Sequence, residues 1–271
     1  MKCNRQSNWI YDRIVWNDHV QQLCQLGKFH RTYQMSESAF EKLLGILYPK
    51  LHKDVTMSNN STRGLGEVII PEVTMAIGIR LLAGASYIDL TTAYGVSESS
   101  VFLSRNIFVD AVNTCDTLKI VFPDKEEDCK AVQTGYQAKS SHGLIKGCIG
   151  CIDVLLVKIK RPSKKECGNT PSSYYSGHFC CYGLNIQAVC DVNLCFIFFA
   201  IAAPGKSSDQ AALEKTSLNS ILNQLPLGSY IIGDAAYTVS DQMLVPFTGS
   251  HRQDSCKDSF NYFLSQMRIC I

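Results

Sequence analysis

Between Lys146 and Lys158 the chain holds an apolar run, GCIGCIDVLLV, whose only ionisable groups are two cysteine thiols and one carboxylate, that of Asp153. A bounded apolar run of this length reads as a core strand. Taking a carboxylate out of water inside such a strand costs roughly several kcal/mol unless a metal, a cation or several hydrogen bonds replace the lost hydration. Asp153 therefore restricts the fold to one that brings it a partner.

Composition bounds where that partner is sought. The 271 residues are 46% hydrophobic, enough for one large or two ordinary packed domains. With 26 Lys and Arg against 24 Asp and Glu the formal net charge is +2, so a polyanionic partner has to be argued from local patches. The 13 cysteines stand in apolar or helical surroundings behind a polar opening, MKCNRQS, with no secretory signal, which reads as reduced, intracellular thiols. Cys148 and Cys151 have CxxC spacing, but no second pair is suitably placed for zinc, and core thiols are the preferred reading. The longest apolar run, 194–203, is about half of what a membrane-spanning helix requires, and a soluble protein is expected.

The first half of the chain patterns as helices. Residues 1–35 suggest one or two docking helices, and Ser36 stands as N-cap before an amphipathic stretch that Pro49 is expected to end. Residues 58–66 read as an exposed loop, and Pro71 opens a helix over 72–83. A short helix from Ser86, a turn at Gly95 and a second helix capped by Ser97 give the layout of a helix-turn-helix over about 86–112. Such a unit would present Ser99, Ser100 and Arg105 to a DNA groove. With one arginine on the second helix, the shape is better supported than the contact, and a plain helical hairpin is the alternative. The charged stretch 122–130 shows no apolar recurrence and reads as a short solvated helix near the boundary. The expected domains are a helical N-terminal region, 1–137, and a second domain, 138–271.

The second half changes period. Strands are expected at 148–160, 179–190 and 194–203, with a tight turn at 191–193, then a helix over 209–222 capped by Ser207 or Ser208, then a short strand ending at Asp234. A three-strand meander, a helix and a further strand belong to the mixed α/β class. In that order the first and fourth strands lie side by side, which brings Asp234 to Asp153. Two neighbouring carboxylates repel unless they share a proton or hold a divalent metal. Asp209, at a helix start where an acid suits the dipole, reads as a cap.

These residues carry a resemblance. GCIGCID at 147–153, Tyr174 and Tyr175 ahead of LNIQAVCD at 184–191, PGKSSD at 204–209, GDAAY at 233–237, and Asn261, Ser265 and Arg268 along the last helix resemble the successive motifs of the PIF/Harbinger transposase family. That family belongs to the DDE superfamily endonucleases, with an RNase H-like core. The resemblance covers about Ser36 to the C-terminus, including the helix-turn-helix. It implies an RNase H-like mixed sheet, nuclease or transposase activity on DNA in the nucleus, Asp153 and Asp234 as the first two catalytic acids binding divalent Mg²⁺ or Mn²⁺, and a Myb-like DNA-binding partner protein. One metal would activate water and the other stabilise the leaving 3′-oxygen.

The third acid of the family follows the last helix, and its expected position comes immediately after Ile271, so this chain supplies two of the three. A rival reading is a truncated or domesticated relative that binds DNA or a protein without cutting. The basic residues Lys158, Lys160, Arg161, Lys164 and Lys165 follow the first strand and suit phosphate tracking or nuclear import, with a solvated loop as the plain alternative.

Overall fold

A computed structural model describes residues 13–52, 68–249 and 254–269. The loop expected at 58–66 lies outside them. The chain divides into two compact units, Met1–Lys119 and Ile120–Ile271.

The first unit is helical. Helices α1 (Trp16–Gln25), α2 (Phe29–Tyr33) and α3 (Glu37–Leu51) are followed by α4 (Pro71–Leu82), α5 (Tyr87–Tyr94) and α6 (Glu98–Asn113). Ser36 caps α3 by accepting a bond from the Ala39 N–H. That helix does not stop at Pro49 but runs two residues further, because Leu51 is buried at 1% exposure and holds the last turn in the core. Its core joins Phe40, Leu47 and Leu51 to Met75, Ile77, Leu90, Tyr94 and Val101. Tyr33 and Tyr94 are fully buried and bond each other through their hydroxyls at 2.9 Å.

Helices α5 and α6 occupy the stretch that the sequence leaves open between a helix-turn-helix and a plain helical hairpin. Gly95 closes α5 in the left-handed region, φ 62°, which a side chain would disfavour. Val96 follows it into the core, and Ser97 caps α6 through the Ser100 N–H.

The second unit is a mixed sheet with helices. Helix α7 (Glu126–Lys139) precedes β1 (Cys148–Lys158), β2 (Tyr175–Ser176), β3 (Cys181–Cys190) and β4 (Phe196–Pro204). After α8 (Asp209–Leu213) and α9 (Ser217–Leu222) come β5 (Tyr230–Ile232), β6 (Met243–Leu244) and α10 (Ser255–Ile269). Helix α7 is longer and better anchored than its charges suggest. Cys129 and Tyr136 are buried and Val132 packs with them, an i, i+3, i+7 stripe that begins inside the charged stretch. The helix also runs across residue 137, where the sequence places a domain boundary. The helix expected over 209–222 is two short ones, separated by a turn at Glu214–Thr216 in which the Thr216 hydroxyl bonds the Leu213 carbonyl.

The strand order is β2-β3-β1-β5-β6, with β4 on β3. Strands β1, β3 and β4 pair antiparallel, and β1–β5 and β5–β6 pair parallel. The pairing of β1 with β5 carries a register shift between Cys148 and Gly150. This irregularity turns Cys148 and Cys151 to one face, where both are buried with Tyr136, Ile232, Leu264 and Met267, while Ile149 and Ile152 pack on the other with Val189 and Leu218. The CxxC pair is thus part of the core. Among the described residues, no helix is long and apolar enough to cross a membrane.

Candidate active site

The parallel pair β1–β5 ends at Cys151 opposite Ile232. Two residues further along each strand direction stand Asp153 and Asp234. The two acids therefore occupy equivalent places beyond the last paired residues of adjacent parallel strands, although they are distant in sequence.

Asp153 differs from its sequence expectation in one respect: it is exposed. Residues Cys148 to Ile152 are all buried, and Asp153 is the first that is not, because β5 has stopped and leaves that flank of β1 open. Its Oδ1 accepts the Val154 N–H at 2.8 Å. The carboxylate thus keeps its water, and the buried-charge argument does not account for its presence in the run.

Asp234 is held by its own turn. Its Oδ1 accepts the Ala236 N–H at 3.0 Å, and the Tyr237 N–H reaches its carbonyl at 3.3 Å. Gly233 makes this turn possible. A Cβ there would lie 2.8 Å from Tyr237 Cδ2, 3.0 Å from Met243 Sδ and 3.2 Å from Ile152 Cγ2, so only glycine lets the Tyr237 ring fold back over the strand tip.

A third carboxylate approaches the pair. Asp209 opens α8, but Ser208 is the cap, accepting the Ala211 N–H at 3.3 Å. The Asp209 side chain is instead held by Asn185, whose Nδ2 donates to Oδ1 at 3.2 Å, while Gln187 Nε2 donates to the Asp209 carbonyl at 2.6 Å. Gln187 is the cross-strand neighbour of Val154. The adjoining Gln210 accepts the Thr238 N–H at 3.0 Å, which ties the start of α8 to the loop after Asp234. Burial pushes the Asp209 carboxyl above its ordinary pKa, and the charges of Asp234 and Asp153 add to that against the opposing Asn185 bond. Burial likewise raises the Tyr237 hydroxyl, helped by Asp209, Asp234 and Asp153 and opposed by Arg268.

The sequence pattern gives Asn185, Gln187 and Tyr237 no role of their own and suits Asp209 to a cap. The available signal was two amides at alternate positions of a strand whose other inward residues are glycine and apolar. Asn261, on the last helix, bonds the Phe247 backbone through both side-chain atoms and braces that loop.

The nucleic-acid candidates lie elsewhere. Lys158 ends β1, and Lys160, Arg161, Lys164 and Lys165 follow it, all exposed. Arg161 stands over the Tyr182 ring at 5.9 Å. In the other unit, Ser99 and Ser100 are engaged with the Ser97 hydroxyl at 3.0 and 2.9 Å, and Arg105 bonds Asn106 Oδ1 and lies over Phe102.

Among the described residues, no three His, Cys, Asp or Glu side chains are gathered closely enough to hold a metal ion. What Asp153 and Asp234 offer is a pair of hard oxygen donors, which fits a divalent cation.

Residues 152–271 match the family model of the DDE superfamily endonucleases. A curated relative is the mouse (Mus musculus) protein called putative nuclease HARBI1, 23% identical over 180 residues, which are 66% of this chain and 49% of the mouse protein. The chain thus spans about half the length of that relative. No solved structure matches it.

Proposed function

We propose that this chain carries the site of a divalent-cation-dependent DNA endonuclease of the transposase type, with Asp153 and Asp234 as its first two acids. The observation that carries the reading is their equivalent placement beyond the last paired residues of β1 and β5, inside a region that matches the DDE superfamily. The two carboxylates would hold the cation, Mg²⁺ or Mn²⁺. When bound there, such an ion supplies Lewis acidity to water and to the phosphodiester.

The chain's own residues divide the remaining work. Asp234 is pre-set by its turn and the Tyr237 ring, while exposed Asp153 is open to solvent and substrate. In the family that the sequence resembles, the third acid follows the helix that α10 matches. Support comes from the Met267 carbonyl, 4.0 Å from Cys151 Sγ and so beside the strand that bears Asp153. Lys158, Lys160, Arg161, Lys164 and Lys165 would track phosphates, since Lys158 lies five residues, about 17 Å, from Asp153 along the strand. The α5–α6 pair, with Ser99, Ser100 and Arg105, is the second candidate contact with DNA, and such a substrate places the action in the nucleus.

The test is nicking of supercoiled DNA by the chain with Mg²⁺ or Mn²⁺. Cation-dependent nicking lost in Asp153→Ala and in Asp234→Ala supports the proposal. Nicking that persists in chelator, or in both variants, refutes it. DNA binding without cutting, unchanged in both variants, would favour the binding-only relative.

A further inference from the structure

Three buried oxygen atoms surround the start of α8 without a hydrogen-bond partner: Asn185 Oδ1, Gln187 Oε1 and the Tyr237 hydroxyl. Their side chains are 3%, 0% and 5% exposed. Leaving such groups unpaired costs about 1–3 kcal/mol each, so three together in one corner of the core call for a missing partner. Two of the three, the amide oxygens, only accept. An anion cannot satisfy them; water or a cation can.

The geometry connects this corner to the proposed metal site. The amide nitrogens of Asn185 and Gln187 are both used to fix Asp209. Asn185 and Gln187 alternate with residues on the Asp153 face of the sheet, so Asp209 reaches the acid pair across the end of the sheet and not from beside Asp153. Among the described residues the three acids do not form a cluster that could hold a metal ion together, which leaves Asp209 a role outside the inner ligands.

We propose that Asp209, positioned by Asn185 and Gln187 and faced by Tyr237, holds water on the divalent cation bound by Asp153 and Asp234. This inference rests on the reading of those two acids as cation ligands. The water accounts for the unpartnered oxygens, and the cation accounts for a third carboxylate kept close to two others. Both charges of the pair reach Asp209, an arrangement that opposes folding of the empty protein and favours it once a cation is bound. Asp209 is thus a positioning residue with no contact to the reacting atoms.

The experiment is calorimetric titration of Mn²⁺ into the 271-residue chain without DNA, alongside thermal unfolding in chelator. Outer groups that hold the water or ligands of a metal contribute about tenfold or more to its affinity. Asp209→Asn, which leaves the Ser208 cap in place, should therefore weaken Mn²⁺ about tenfold while melting in chelator no lower than the wild type. Asn185→Ser should weaken Mn²⁺ in the same direction, and Asp128→Asn on α7 should not. A merely structural role for Asp209 predicts the reverse, a lower melting point and unchanged affinity, and that result overturns the inference. If Asp209→Asn and Asp153→Asn both bind Mn²⁺ like the wild type, the reading of the site falls as well. If only Asp153→Asn loses it, the site stands and the Asp209 inference fails.

Discussion

Gly233→Ala is the sharpest probe of how the site is built, because a single methyl group is asked to enter a place with no room for it. The new Cβ would lie 2.8 Å from Tyr237 Cδ2, 3.0 Å from Met243 Sδ and 3.2 Å from Ile152 Cγ2. Methionine can swing its sulfur aside. The other two cannot yield as easily, since Ile152 is 1% exposed and Tyr237 5%. Overpacking of this kind costs about 1–3 kcal/mol. Alanine also narrows the unfolded chain, which returns about 0.4–1 kcal/mol where its backbone fits. A net loss of about 1.5 kcal/mol follows. For a unit of this size that lowers the melting midpoint by about 3–6 °C. Trp16, the tryptophan in a described segment, lies in the other unit, so its fluorescence would not report the change. Amide exchange does: the Ile231 N–H bonds the Gln242 carbonyl and the Gly233 N–H bonds the Leu244 carbonyl, both at 2.9 Å. Exchange at these amides should speed up about tenfold. Unchanged protection and midpoint would refute the claim that the Tyr237 ring packed on Gly233 sets the position of Asp234.

Two further outcomes follow from the same corner. Tyr237→Phe keeps the ring and removes a buried hydroxyl that has no partner, so the cation-free protein should gain about 1 kcal/mol in urea unfolding, and a lower midpoint would contradict this. In chelator, stability should also depend on pH through Asp209. Its folded pKa is raised by burial and by Asp234 and Asp153, so folding favours the protonated form. Its stabilising contribution is then full below the ordinary aspartate pKa and is lost as pH rises through the higher folded value. Asp209→Asn should flatten that part of the stability curve, and an unchanged curve would remove Asp209 as its source.

The linear pattern of this chain determined a good deal. Ser36 and Ser97 announce helix starts because a hydroxyl before an apolar period satisfies orphan N–H groups locally, and both caps form. The three-strand meander and the short strand before Asp234 were legible from period and turn residues. The adjacency of the first and fourth expected strands followed from their order, and with it the equivalent places of Asp153 and Asp234 beyond the paired residues. These features depend on near neighbours, or on a topology with few alternatives.

What the tertiary structure decided depends on neighbours that sequence distance conceals. Asp153 is exposed because β5 stops at Ile232, a fact about another strand. Cys148 and Cys151 share a face because the pairing with β5 slips by a residue. Helix α7 is anchored because Cys129, Val132 and Tyr136 meet β1 and the last helix, which no count of its charges reveals. Asp209 is a third carboxylate near the site, and not a cap, because Asn185 and Gln187 reach it from β3. A one-dimensional pattern shows which side chains would like company. Only packing settles which ones find it, since burial and hydrogen bonding are set by whatever element lies across the sheet.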